Sequence, residues 1–329
     1  TGNKRDLATC ICNIGNVYSK KGDLNRALVQ YQECLAIQKS TGDKLEISRS
    51  LCRTGIIYFQ KRNLKEATKL LEESLALAKE TGNKFEQSEI LFHLVSVKMD
   101  SGQMDQAQEY CELLQRINDQ VDNRLVKQRY LIAKALILKT SSRLRNRGKA
   151  EEILTLVVSE DISDDDLTVT AMLNLVDLLL YELKMNNEKE IMNEIIALIE
   201  KLQENANKQQ SYSLLAMTYV LQSKLEILKL DIEKAKEKLD KAEELLKDKE
   251  LHKIAELIDN IQMKIKDYSK ISPEDLLHIS KLWQETEKDN MGNHLLPAMR
   301  VVQNYFTQLI KEKSSINYFE ELIETLNGN

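Results

Sequence analysis

The stretch TGNK opens the chain, TGDK stands at 41, and TGNK returns at 81. Aligning the three blocks at this forty-residue spacing brings other residues into register. Gly15 meets Gly55, Tyr18 meets Tyr58, and Leu24 meets Leu64 and Met104. Ala27, Ala67 and Ala107 coincide, Leu35 meets Leu75, and Ala36 meets Ala76. A fixed period of this size is the mark of stacked supersecondary units, each unable to bury its apolar face alone.

Each block reads as two helices. Ile11, Ile14, Gly15 and Tyr18 fall on one helical face. KKGDL breaks that pattern, with Gly22 suited to a helix C-cap. Ala27, Leu28, Tyr31 and Leu35 restore the period, and STGD closes the block with Gly42 as the second stop. A glycine inside a helix costs about 1 kcal/mol relative to alanine. Gly15 is therefore expected where two helices touch, opposite Ala27, with Tyr18 and Tyr31 filling the space beside that contact.

The pattern resembles the tetratricopeptide repeat, whose consensus maps to Ile11, Ile14, Gly15, Tyr18, Ala27, Tyr31 and Cys34. In the second block it maps to Leu51, Thr54, Gly55, Tyr58, Ala67, Leu71 and Ser74. The third block departs from it, with Val95 for the glycine, Lys98 for the tyrosine and Cys111 for the aromatic. The spacing is similar to the longer variety of the repeat found in bacterial regulators and cell-polarity adaptors. The resemblance implies an all-α, right-handed α-solenoid of antiparallel helix hairpins.

Three clear repeats are expected over 1–120. Degenerate hairpins continue the solenoid over 121–270, for about six hairpins in all. A helical C-terminal cap, or the start of another module, is expected over 271–329. Ser272 and Pro273 mark a helix start there, followed by helices at about 273–288, 295–313 and 315–326. The chain begins without Met at a repeat boundary, so a preceding repeat, further domains of the same chain, and the lack of an N-terminal cap are expectations.

Composition narrows the function. Charged residues make up 30% and aromatics 5%, with ten glycines and two prolines, which suits helices and disfavours a sheet-rich sandwich. The formal charge is −5 with both signs interspersed, so a nucleic-acid partner is not expected. No apolar run is long enough to span a bilayer, and no membrane partner is expected. The acidic loop from Ser159 to Asp166 lacks the glycine and terminal glutamate of a calcium hand. His93, His252, His278 and His294 form no close pair, and neither a nucleophile elbow nor a phosphate loop occurs. The reading is no enzyme, no metal and no cofactor. Cys10, Cys12, Cys34, Cys52 and Cys111 are odd in number and make no zinc spacing. They are read as small residues in a reducing cytosol, hence a cytoplasmic protein.

In repeats of this family, positions just off the packing face of each first helix line the concave groove. They are Thr9, Cys12, Asn13, Asn16 and Ser19 in block one, and Arg49, Cys52, Arg53, Ile56 and Phe59 in block two. Block three supplies Glu89, Phe92, His93, Ser96 and Met99. From these the partner-binding candidates are Asn13, Asn16, Arg49, Arg53, Ile56, Phe59, Phe92, His93, Ser96 and Met99. The resemblance gives Asn16 the task of holding a ligand's backbone amide. Two plainer roles stand beside this: Phe92 and Met99 packing between repeats, and the arginines serving Glu46 and Glu89. The expected function is a scaffold or regulatory module that binds a protein or peptide with an acidic residue and an apolar anchor. The alternative is a ligand- or peptide-sensing domain of a larger signalling or transcription-control protein.

Overall fold

The computed structural model describes residues 2–160, 165–186, 188–229, 231–247 and 249–268. Among these residues the chain forms thirteen α-helices and no strand. The first three hairpins pair α1 (Gly2–Lys20) with α2 (Leu24–Thr41), α3 (Lys44–Gln60) with α4 (Leu64–Glu80), and α5 (Lys84–Asp100) with α6 (Met104–Asn118). Next come α7 (Arg124–Lys139) with α8 (Leu144–Ser159), and α9 (Asp165–Asn186) with α10 (Lys189–Gln209). The sixth pairs α11 (Tyr212–Leu228) with α12 (Ile232–Leu246), and α13 (His252–Tyr268) packs on both. Consecutive hairpins stack, so the architecture is an all-α solenoid. The C-terminal cap expected over 271–329 lies outside the described residues, as does the middle of the acidic loop.

Helix boundaries follow local chemistry. Asp23 and Asn63 cap α2 and α4, and Asp43, Asn83 and Asn123 cap α3, α5 and α7, each accepting from a backbone N–H in the first turn. Such a cap contributes about 1 kcal/mol. Gly42 closes α2 in the left-handed region at φ 72°, as read from the sequence.

Gly15 sits at the contact of α1 with α2: a Cβ built there would stand 2.7 Å from Tyr31 Cε1 and 3.3 Å from Gln30 Cβ, so the glycine yields chiefly to the Tyr31 ring. Gly55 repeats the arrangement, 2.9 Å from Leu71 Cγ. Ile14 also departs from its expected packing role, because it is exposed on α1. In the later hairpins the same column is filled by Thr54 and Leu94, both buried against the preceding hairpin.

Cys12 and Cys52 do not line the groove. Both are buried, because the first helix of each hairpin packs against the next hairpin as well as its own partner. Cys12 and Cys34 are joined as a disulfide across the first hairpin, with Cα atoms 5.7 Å apart. That corrects the reading of all five cysteines as reduced. The physical reason is that positions 12 and 34 face each other at a separation a disulfide spans. Cys10, Cys52 and Cys111 are free thiols.

The first hairpin meets the last described helices. One apolar cluster joins Ala8, Ile11, Leu24 and Tyr31 of the first hairpin with Leu239, Leu251, Ile254 and Ile258 of the last helices. Leu251 Cδ1 lies 3.1 Å from where a Cβ of Gly22 would be. Lys61 pairs with Glu250, and Lys253 reaches Asp100 at 2.7 Å. The turns of the first three hairpins thus line up along the start of α13.

Candidate functional site: the lumen of the solenoid

The first helices of the early hairpins face a cavity of about 510 Å³. Asn16, Arg53, Ile56, Phe92 and His93 line it, together with Tyr31, Glu89 and Arg129. The opposite wall comes from the start of α9 and the turn between α10 and α11, through Leu167, Thr170, Gln209, Ser211 and Ser213. A second cavity of about 350 Å³ adjoins it and is largely apolar. Phe59, Val169, Leu173, Leu214, Met217 and Ile254 line that chamber. The two share Gln60, Asp166, Thr170, Gln209, Ser211 and Ser213, so they form one lumen with a polar and an apolar end.

Arg53 is the distinctive charge. It lines the polar chamber, is partly exposed, and makes no ion pair or hydrogen bond among the described residues. Arg49, one turn earlier, is committed: Nη1 donates to Glu46 at 2.5 Å and Nε to Glu86 at 3.0 Å. Burial pushes the Glu86 carboxyl up, with Arg49 pulling it back. The arginine pair read from the sequence therefore splits into one structural and one open guanidinium.

Arg129 is buried on α7 and reaches back to α5. It donates to Glu89 at 2.7 Å and to Ser88 Oγ at 2.9 Å, and its guanidinium lies 4.4 Å from the Phe85 ring centre. Sequence reading stopped at the third clear block and missed it. The signal was present, since 129 continues the column of Thr9, Arg49 and Glu89. Glu89 is thus neutralised by Arg129, and Arg53 keeps its charge unmatched by it.

Asn16 Oδ1 accepts a 2.7 Å hydrogen bond from the Tyr31 hydroxyl. Burial pushes that phenol up to about 12, against the pull of Arg53. Burial pushes the His93 imidazole down to about 4, Glu89 opposing and Arg129 adding to the shift. His93 is therefore a neutral donor and acceptor at pH 7. Its ring meets Phe92 edge-on at 5.4 Å.

The remaining candidates scatter. Phe92 borders the cavity but is buried in the main apolar cluster, and Met99 packs against that cluster. Ser96 donates to the Phe92 carbonyl on its own helix, and Asn13 is exposed and lines neither chamber. Phe59 lies in the apolar chamber under Lys253, whose Nζ is 4.7 Å from the ring centre.

Among the described residues no group of three His, Cys, Asp or Glu side chains is placed to hold a metal. No described helix is long and apolar enough to cross a membrane.

Residues 4–80 match the family model of the tetratricopeptide repeat. No curated protein sequence matches the chain. Among solved structures, a Rap conjugation gene regulator of the plasmid pLS20, in complex with the Phr* peptide, aligns at TM-score 0.59 and 13% identity. That alignment covers 92% of this chain and 74% of the regulator. A Rap protein complexed with competence and sporulation factor aligns at TM-score 0.54 and 12% identity, over 78% of this chain and 74% of that one. At such identities the likeness is one of fold. The tetratricopeptide repeat is thus matched over residues 4–80, and the helical hairpins that follow through to α12 share the solenoid fold of these structures.

Proposed function

We propose that this chain binds a peptide, free or part of a partner protein, inside the lumen. A carboxylate of the peptide pairs with Arg53 in the polar chamber. An apolar side chain enters the adjoining chamber beside Phe59, Leu173 and Met217. The observation that carries the reading is Arg53: a guanidinium on the wall of a 510 Å³ cavity, without an ion-pair partner among the described residues. A charge-assisted hydrogen bond to a carboxylate is about twice as strong as a neutral one. Neutral His93 and the hydroxyls of Ser211 and Ser213 supply the peptide's polar groups. The fold neighbours solved with the Phr* peptide and with competence and sporulation factor support the ligand class. The role is non-catalytic in this reading.

A second reading, a sensing chamber of a larger regulatory protein, is favoured by one observation. Leu251, Lys253 and Ile254 line the apolar chamber and also join the early hairpins to the last described helices. A ligand there would touch the closure itself.

The test is selection of a phage-displayed random heptapeptide library on the whole chain, followed by titration of the selected peptide. Arg53→Glu should weaken binding at least thirtyfold, because repulsion replaces attraction. Phe59→Ala should weaken it about tenfold, the scale of a buried aromatic contact. Peptides that bind both folded variants like the parent would place recognition elsewhere.

A further inference from the structure

The neck between the two chambers carries two side chains that the fold leaves unsatisfied. Gln60, the last residue of α3, and Gln209, the last residue of α10, line both chambers from opposite walls. Gln60 Oε1 and Gln209 Nε2 are each buried with no hydrogen-bond partner among the described residues. Their neighbours at the neck are occupied. Thr170 donates to the Asp166 carbonyl on its own helix at 2.8 Å. Ser211 Oγ accepts from the Leu214 N–H at 3.3 Å and shares a 3.2 Å hydrogen bond with Ser213 Oγ. A buried donor or acceptor left unpaired costs the full desolvation of that group, so folded chains seldom keep one without a use.

The backbone fixes where these carboxamides start. α10 closes at Gln210, left-handed at φ 50°, and the residues on either side of it, Gln209 and Ser211, both line the neck. The last torsion of a glutamine is broad and roughly twofold. A turn about it swings each orphaned atom off the wall toward the lumen that its side chain lines.

An acceptor on one wall and a donor on the opposite wall match a peptide unit. That unit is planar and trans, so its N–H and C=O point in opposite directions. A carboxylate has no N–H to offer Gln60, and an alkyl group satisfies neither glutamine. Consecutive Cα atoms are about 3.8 Å apart. The residues flanking a unit held at the neck therefore enter different chambers, one beside Arg53 and the other beside Phe59 and Leu173.

We propose that Gln60 and Gln209 clamp one main-chain peptide unit of the lumen ligand, so that the acidic and apolar residues on either side of it are neighbours in sequence. Gln60 accepts from the N–H and Gln209 donates to the carbonyl. The clamp rests on the peptide reading above, and adds to it the residues that hold the main chain and the spacing of the two side chains.

The probes are acetyl-Gly-Gly-Glu-Leu-Gly-Gly-amide, its Leu-Glu counterpart, and an ester form of each in which oxygen replaces the nitrogen between the two central residues. The ester keeps the shape and loses the N–H. Calorimetric titration of the whole chain should show saturable binding of one amide probe, with its ester about tenfold weaker or more. Gln60→Leu should bind that amide and its ester alike, because nothing is left to accept the N–H. Gln209→Leu should weaken both forms. Both variants should melt no lower than the parent, since each removes an unpaired buried atom. The comparison of amide with ester on the parent chain needs no variant. If the two bind the parent alike while Arg53→Glu weakens both, the clamp is overturned and the lumen reading stands. If neither amide probe binds, the clamp is also overturned, and the peptide library decides the lumen reading by itself. An amide preference that Gln60→Leu abolishes and Arg53→Glu leaves untouched supports the clamp and removes Arg53 from recognition.

Discussion

Arg62 Nη2 lies 2.9 Å from the Glu256 carboxylate, joining the turn of the second hairpin to α13. Nη1 of the same side chain bonds Asp100 at 3.0 Å, at the end of α5. The backbone position is costly. Gly22 and Gly102 occupy this place in the neighbouring hairpins at φ 72° and 74°, and Arg62 takes φ 62°. A side chain in the left-handed region costs about 1 kcal/mol. The chain bears that strain at the residue that ties the second hairpin to α13.

Arg62→Gly should separate closure from folding. The glycine relieves the backbone, and the half-exposed ion pairs it removes contribute only about 0–1 kcal/mol each. The melting temperature should stay within a few degrees of the parent. Amide hydrogen exchange over 250–262 should rise several-fold. Unchanged protection there would show that the apolar contacts of Leu251 and Ile254 close the stack without Arg62.

Two helical glycines should respond with opposite signs. Gly148 in α8 has nothing within 4 Å of a built Cβ, so Gly148→Ala should stabilise by about 1 kcal/mol through helix propensity. Gly15→Ala meets the Tyr31 ring at 2.7 Å and should destabilise by about 1–2 kcal/mol after the propensity gain is subtracted. Urea unfolding of the pair measures both. Stabilisation by Gly15→Ala would contradict the close packing of α1 on Tyr31.

His93 should titrate near 4 in histidine NMR, well below its usual 6.5. Between those values the unfolded chain binds more protons than the folded one. Stability therefore rises with pH across this window and falls on acidification from about 6.5 to about 4. The full shift corresponds to about 3 kcal/mol, and His93 keeps part of its surface in the cavity, so about 2 kcal/mol is expected. His93→Gln should flatten that part of the stability profile. A normal titration of His93 would mean that water fills the lumen around it.

Glu151 carries the opposite pH dependence. Burial, followed by the charge and hydrogen bond of Glu182, raises its carboxyl to about 7. The folded chain binds the extra proton between 4.5 and about 7, so this contribution is present below 4.5 and is lost as pH rises through 7. Glu151→Gln keeps a hydrogen-bond donor without the charge. It should stabilise the chain at pH 8 by about 1 kcal/mol or more and have little effect at pH 5. Equal effects at both pH values would show that Glu151 and Glu182 do not share a proton.

The sequence by itself determined the helices, their stops and their pairing into hairpins. Those properties are local: caps at Asp23 and Asn63, left-handed glycines at 22 and 42, and one apolar face per helix at a period of 3.6. It also singled out six residues that the lumen gathers: Asn16, Arg53, Ile56, Phe59, Phe92 and His93. Tertiary structure alone decided that Arg49 is neutralised while Arg53 is not, because that depends on Glu86 lying one hairpin away. It alone brought Arg129 back to Glu89, and buried Cys12 and Cys52 between hairpins. It alone set Leu251 against Gly22 and Glu256 against Arg62. Small rotations between successive hairpins add up over six units, and no periodicity in the chain records their sum. The meeting of the first hairpin with the last described helices, and with it the far wall of the lumen, is a product of that sum.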